Sequence, residues 1–85
     1  MHYRIEVTKS AERDLRDLPT DVAKRVVARI ASLAENPCPN GVKKLAGMDD
    51  LYRIRVGDYR IIYEIRDAAI LITVVRVRHR GTAYR

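Results

Sequence analysis

The chain has 85 residues and a net charge of +6, with a pI near 9.9. This length supports one domain with a modest core, and an apolar fraction of 47% excludes a disordered chain. The longest apolar runs, four or five residues, fall far short of the roughly twenty of a membrane-spanning helix; no signal peptide is expected, and the single cysteine, Cys38, excludes an internal disulfide framework, so the expected compartment is a reducing cytoplasm.

Tyr3, Ile5 and Val7 alternate with Arg4 and Glu6, which predicts a first strand. Thr8 or Ser10 is placed to cap a short helix whose apolar stripe is Ala11, Leu15 and Leu18, and Pro19 ends it. Thr20 is the expected N-cap of a second helix, with Asp21 in the first turn, where the helix dipole favours a carboxylate. Val22, Val26, Ile30 and Leu33 form its buried stripe, and Lys24, Arg25 and Arg29 read as its solvated face.

Residues 35–41, with two prolines and a glycine, read as a loop. A strand is expected at about 42–46, followed by a turn through Gly47 to Asp50. Residues 51–56 and 59–66 read as a hairpin closed at Gly57-Asp58. The run Ile70 to Val75 is apolar on both faces and predicts a central strand covered on both sides. Beyond it, Arg76, Arg78 and Arg80 alternate with Val77 and His79. The expected fold class is α+β: an N-terminal strand, two helices, then a four-stranded antiparallel meander, with both helices on one face of a twisted sheet.

The charge is uneven. Residues 1–42 carry seven Lys/Arg against six Asp/Glu, and residues 43–85 carry ten against five. The basic half holds Tyr52-Arg53-Ile54-Arg55-Val56-Gly57-Asp58-Tyr59-Arg60. Strand residues two apart share a face about 7 Å apart, so Arg53 and Arg55 point the same way and the hairpin brings Arg60 near them. Guanidinium groups offer a planar fork of donors and keep their charge, which suits phosphate. An anionic partner, nucleic acid above all, follows. His2, His79 and Cys38 show no metal-ligand spacing, and neither a metal nor a cofactor is expected.

Taken with the C-terminal run Val77 to Arg85, the chain resembles a RelE-type toxin of the RelE/ParE superfamily over essentially its whole length. The resemblance rests on Thr8-Lys9-Ser10-Ala11, Asp14-Leu15, Leu18-Pro19, Lys44-Leu45-Ala46-Gly47, Tyr52-Arg53-Ile54-Arg55, Tyr59-Arg60-Ile61-Ile62-Tyr63 and Arg78-His79-Arg80 with Tyr84 four residues on. It implies the endoribonuclease of a type II toxin–antitoxin module. Such an enzyme cuts mRNA in the ribosomal A site without a metal and is blocked by an antitoxin laid over its basic surface. The 2′-hydroxyl attacks the adjacent phosphate and the next 5′-hydroxyl leaves.

By that resemblance Arg53 and Arg55 stand where RelE enzymes have two functional lysines. Arg60 stands at a phosphate-contacting arginine, Arg80 at the leaving-group side and Tyr84 at a base-stacking tyrosine. Arginine does not readily surrender a proton at neutral pH, so Arg55 is better suited to stabilising charge than to acting as a general base. His79 is the reserve acid or base, with a structural role equally open because strand alternation points it away from Arg78 and Arg80. Lys43, Lys44 and Arg78 are candidate RNA-backbone contacts. Glu64 is either a base or an arginine's partner across the hairpin, and Tyr52, Tyr59 and Tyr63 read as sheet core. Two rival functions remain at this point: a ParE-like inhibitor of DNA gyrase, and a catalytically silent homologue that acts with its antitoxin as a repressor complex.

Overall fold

A computed structural model describes residues 2–45 and 50–79. The chain runs through β1 (Arg4–Val7), α1 (Lys9–Arg16), α2 (Thr20–Leu33), β2 (Lys43–Lys44), β3 (Leu51–Val56), β4 (Tyr59–Arg66), a 3₁₀ turn at Asp67–Ala69 and β5 (Leu71–His79). The five strands form one sheet in the order β1-β5-β4-β3-β2. The meander from β2 to β5 is antiparallel, as the short connections require. β1 returns beside β5 in parallel, Arg4 opposite Leu71 and Val7 opposite Val74. The long connection that a parallel pair needs runs through both helices, which carry the chain from the β1 edge to the β2 edge, and then back through β2, β3 and β4.

Both helices pack on one face of the sheet. Ala11 of α1 and Val26, Ile30 and Leu33 of α2 meet Ile54, Ile61, Tyr63, Ile65, Ile72, Val74 and Val77 in one buried cluster. Leu15, Leu18 and Val22, half-buried, pack against it, so both expected stripes face the core. Thr8 caps α1 by accepting a hydrogen bond from the Ala11 N–H at 3.1 Å. At α2 the Pro19 carbonyl accepts the first helical bond from the Ala23 N–H, so the cap is Pro19 and Thr20 is the first helical residue. The hairpin spans the predicted residues. Positive φ within its turn is confined to Gly57, at +59°, the pattern of a type II′ connection.

Three further expectations are corrected. The strand placed at 42–46 has strand geometry at Lys43–Lys44, and residues 46–49 lie outside the described residues. Ile70 does not open β5: it closes the 3₁₀ turn in the left-handed region, φ 50°. β5 is central, between β1 and β4, but only one face is fully covered. Ile72, Val74 and Val77 are buried while Leu71, Thr73 and Val75 are half-buried, because both helices pack on the same side.

A bulge in β5 carries the site's geometry. The register runs Ile62 opposite Arg76 but Tyr63 opposite Val74, leaving Val75 without a partner in β4. Strict alternation would put Arg76 and Arg78 on the face of Ile72 and Val74. The extra residue reverses the alternation, so Val77 faces the core and Arg78 faces away from it. α1 completes this edge where β1 ends. The Thr8 hydroxyl donates to the Val75 carbonyl at 2.8 Å. Asp14 accepts from the Val77 N–H at 2.9 Å and from Arg76 Nε at 2.8 Å and Nη2 at 3.2 Å. Burial works to raise the Asp14 carboxyl, but the hydrogen bonds from Arg76 and Val77 and the charges of Arg76 and Arg78 outweigh it and hold it below its ordinary value.

Asp14→Asn is expected to lower stability by about 1–3 kcal/mol, the range for hydrogen bonds to a charged group. Because the folded carboxyl is depressed, the deficit relative to wild type is complete above the unfolded carboxyl range, about pH 4, and vanishes as pH falls through the lower folded value. Thermal melts of both proteins from pH 7 downward measure it. Ile70→Gly relieves a left-handed β-branched residue at an exposed position, and is expected to raise stability by about 1 kcal/mol in denaturant unfolding.

Candidate active site

The register places cations in rows across the sheet face opposite the helices. Side chains of directly opposed residues share a face. Arg55 opposes Arg60, and Arg60 opposes Arg78, so three arginines stand side by side on three neighbouring strands. Cβ atoms of opposed residues lie about 5 Å apart, which gives the row a width of roughly 10 Å. The next row, about 7 Å along, holds Lys43 opposite Arg53, then Ile62 and Arg76. Arg53 and Arg55 therefore share a face and Arg60 joins them, as the alternation and the hairpin predict.

Exposure varies along the row and is lowest at its centre. Arg55 is exposed, Arg78 is half-buried, and Arg60 is 6% exposed. A cation drawn out of water interacts more strongly with an anion brought against it, because the local dielectric falls. Placing like charges in cross-strand register costs stability rather than adding to it. Gly41, Lys43, Arg53 and Arg55 line a groove of about 220 Å³ beside the row.

The other expected site residues are distributed differently. Lys44 opposes Tyr52 and lies on the face opposite Lys43, so of the lysine pair only Lys43 joins the arginine face. His79 opposes Tyr59 on the face of Val77, and the two rings meet edge to face with centroids 5.2 Å apart. It stands away from the Arg55–Arg60–Arg78 row, as alternation predicts. Glu64 bonds Arg66 of its own strand, Nε to Oε1 2.8 Å, instead of an arginine across the hairpin. Arg80 and Tyr84 lie outside the described residues. Tyr63 is fully buried and stacks on Tyr52 at 6.0 Å, and Tyr59 is half-buried, so these three tyrosines belong to the sheet as expected.

The chain matches the family model described as "ParE toxin of type II toxin-antitoxin system, parDE" over residues 5–84. It belongs to the RelE/ParE toxins of type II toxin–antitoxin systems. Among its relatives, the toxin RelE of Mycobacterium tuberculosis is 31% identical over 98% of this chain and 87% of that protein. The mRNA interferase toxin RelE of Escherichia coli is 27% identical over 99% and 92%. The toxin fold superposes on the crystal structure of the archaeal RelE–RelB complex from Pyrococcus horikoshii with a TM-score of 0.84, at 34% identity, covering 98% of this chain and all of that one. No helix among the described residues is long and apolar enough to cross a membrane.

Two features of the toxin's site escaped the sequence. Asp14 holds Arg76 and the Val77 amide from 62 and 63 residues away, a pairing that no local pattern announces. Arg25 and Arg29, read as a solvated face, line a groove with Arg55. Their spacing of four, which puts both on one side of α2, was the available signal.

The loop leading to Lys43 is tied to the core by the Tyr63 hydroxyl, which donates to the Pro37 carbonyl at 2.7 Å. Burial pushes the Tyr63 phenol well above its ordinary value, so it remains a donor throughout the working range. Tyr63→Phe is expected to cost about 1 kcal/mol and to speed amide exchange at residues 41–44 relative to β4. Unchanged exchange there would show that the loop is held by other contacts.

Proposed function

We propose that the toxin is an mRNA endoribonuclease acting in the ribosomal A site, and that the arginine face is its catalytic surface. The observation that supports this most directly is the cross-strand row Arg55, Arg60 and Arg78, with Arg53 and Lys43 beside it. Three guanidinium groups on one rigid sheet match a group that gains negative charge as it reacts. When a 2′-hydroxyl attacks its neighbouring phosphorus, the phosphoryl oxygens carry added charge in the transition state. Preorganised cations stabilise that state without reorganising during the reaction. Arg53, Arg55 and Arg60 hold the scissile phosphate and Arg78 extends the anchor. By family resemblance, Arg80 supports the departing 5′-oxygen and Tyr84 stacks on a base. Arginine keeps its protons, so these residues act by charge and position, not as bases. His79 has no part in proton transfer in this reading, because it opposes Tyr59 on the other face. A relative's designation as an mRNA interferase supports the same reaction here.

An antitoxin partner follows from the RelB chain bound to the Pyrococcus relative. A basic face of this kind is what an acidic covering segment neutralises. A cytoplasmic location accords with a ribosomal target. The ParE description of the matched family makes gyrase inhibition the second reading.

Expression of wild type is expected to arrest growth, and Arg60→Ala or Arg55→Ala to lower the cleavage rate by roughly 10²–10³-fold each while leaving the melting transition cooperative. Growth arrest that persists in both variants, with inhibited supercoiling by purified gyrase, would transfer the assignment to the ParE-like reading.

A further inference from the structure

A second groove adjoins the arginine row on the far side of Arg55. It holds about 410 Å³ and is lined by Arg25, Ala28, Arg29 and Ser32 of α2 with Arg55 and Val56 of β3. Arg55 also lines the groove with Lys43 and Arg53, so the two are joined at one side chain. The join exists because β2 is short. Its pairing ends with Lys43 opposite Arg53, so the described strands leave the edge of β3 uncovered from Ile54 to Val56. The side chain of Arg55 is reached from either side of that edge.

Gly57 helps to shape the groove. A Cβ built at Gly57 would stand 3.4 Å from Nη2 of Arg25, so this guanidinium lies over the β3–β4 turn. Among the described residues, no carboxylate lines either groove. The ion pairs among the described residues engage Arg4, Arg66, Arg76 and His2 and leave out Arg25, Arg29, Lys43 and Arg55. Among the described residues, cations therefore run from Lys43, across Arg55, to Arg25 and Arg29.

We propose that the α2–β3 groove is a second RNA-binding subsite, which holds the backbone of the substrate strand next to the cleaved nucleotide. This rests on the RNA-cleavage reading of the arginine face. Phosphates leaving the row at Arg55 pass over the open edge of β3 and meet Arg25 and Arg29. The guanidinium fork suits phosphate oxygens in either orientation of the strand. The groove reads no bases. It lengthens the grip on the strand and fixes its direction away from the scissile phosphate, as backbone contacts do generally.

The test is fluorescence anisotropy with labelled single-stranded RNAs of three and twelve nucleotides. Each carries a 2′-O-methyl group at every position, which removes the attacking hydroxyl. Titrations are run at several salt concentrations with the wild-type protein, Arg25→Ala/Arg29→Ala and Arg25→Lys/Arg29→Lys. The wild type is expected to bind the twelve-mer roughly tenfold or more tightly than the three-mer. The alanine pair loses that gain and lowers the salt slope for the twelve-mer by about 1.4, the value for two single-strand phosphate contacts, while three-mer binding stays the same. The lysine pair recovers the slope.

An unchanged twelve-mer affinity and slope in the alanine pair would overturn the proposal. So would an equal loss at both lengths, which marks a general charge or folding effect. If the alanine pair instead lost only binding of a twelve-residue glutamate-rich peptide, the groove would belong to an acidic protein segment and the proposal would fail. A wild type that binds neither RNA would defeat the RNA reading of the arginine row, and the second subsite with it.

Discussion

The register of the β3–β4 hairpin is the constraint on which the candidate site depends. A two-residue turn at Gly57-Asp58 places Ile54 opposite Ile61 and Arg55 opposite Arg60. The apolar pair is buried against the helices and the arginine pair faces away. A slip of one residue would turn every side chain of one strand to the other face, burying an arginine in the core. The energy of the core therefore secures the position of the cations. Gly57, with positive φ and an arginine guanidinium close above it, is the residue whose backbone freedom this turn needs.

β5 solves a second problem of alternation. Its first half must present Ile72 and Val74 to the helices, and its second half must present Val77 to them while turning Arg78 to the arginine face. A regular strand cannot do both, because 74 and 77 differ in parity. The bulge at Val75 supplies the missing residue, and α1 occupies the backbone groups that β1 leaves behind. Thr8 caps α1 and also bonds the Val75 carbonyl, while Asp14 takes the Val77 N–H and the Arg76 guanidinium. The helix packed on one face thus steadies the strand that delivers Arg78 to the other.

The parts legible in the sequence were those governed by local chemistry. The hairpin ends, the Thr8 cap, both helical stripes and the shared face of Arg53, Arg55 and Arg60 follow from alternation, turn residues and helical periodicity. The parts that were not legible depend on distant partners. The parallel pairing of β1 with β5, the Asp14–Arg76 contact and the groove between α2 and β3 join residues far apart in the chain. The double coverage expected of Ile70 to Val75 failed because an apolar run does not reveal how many layers a fold supplies. Lys44 and Glu64 looked available as single residues, but the register turns Lys44 to the other face and Arg66 of its own strand engages Glu64.

The central claim is that the arginine row promotes attack of a 2′-hydroxyl on its neighbouring phosphate. Primer extension on a reporter mRNA in a translating extract, joined to analysis of the new ends, tests it most directly. Cuts are expected within codons and in frame, with 5′-hydroxyl and cyclic 2′,3′-phosphate ends, none of them present when the added protein is Arg60→Ala. Intact message with normal translation, or cuts that persist undiminished in that variant, would contradict it.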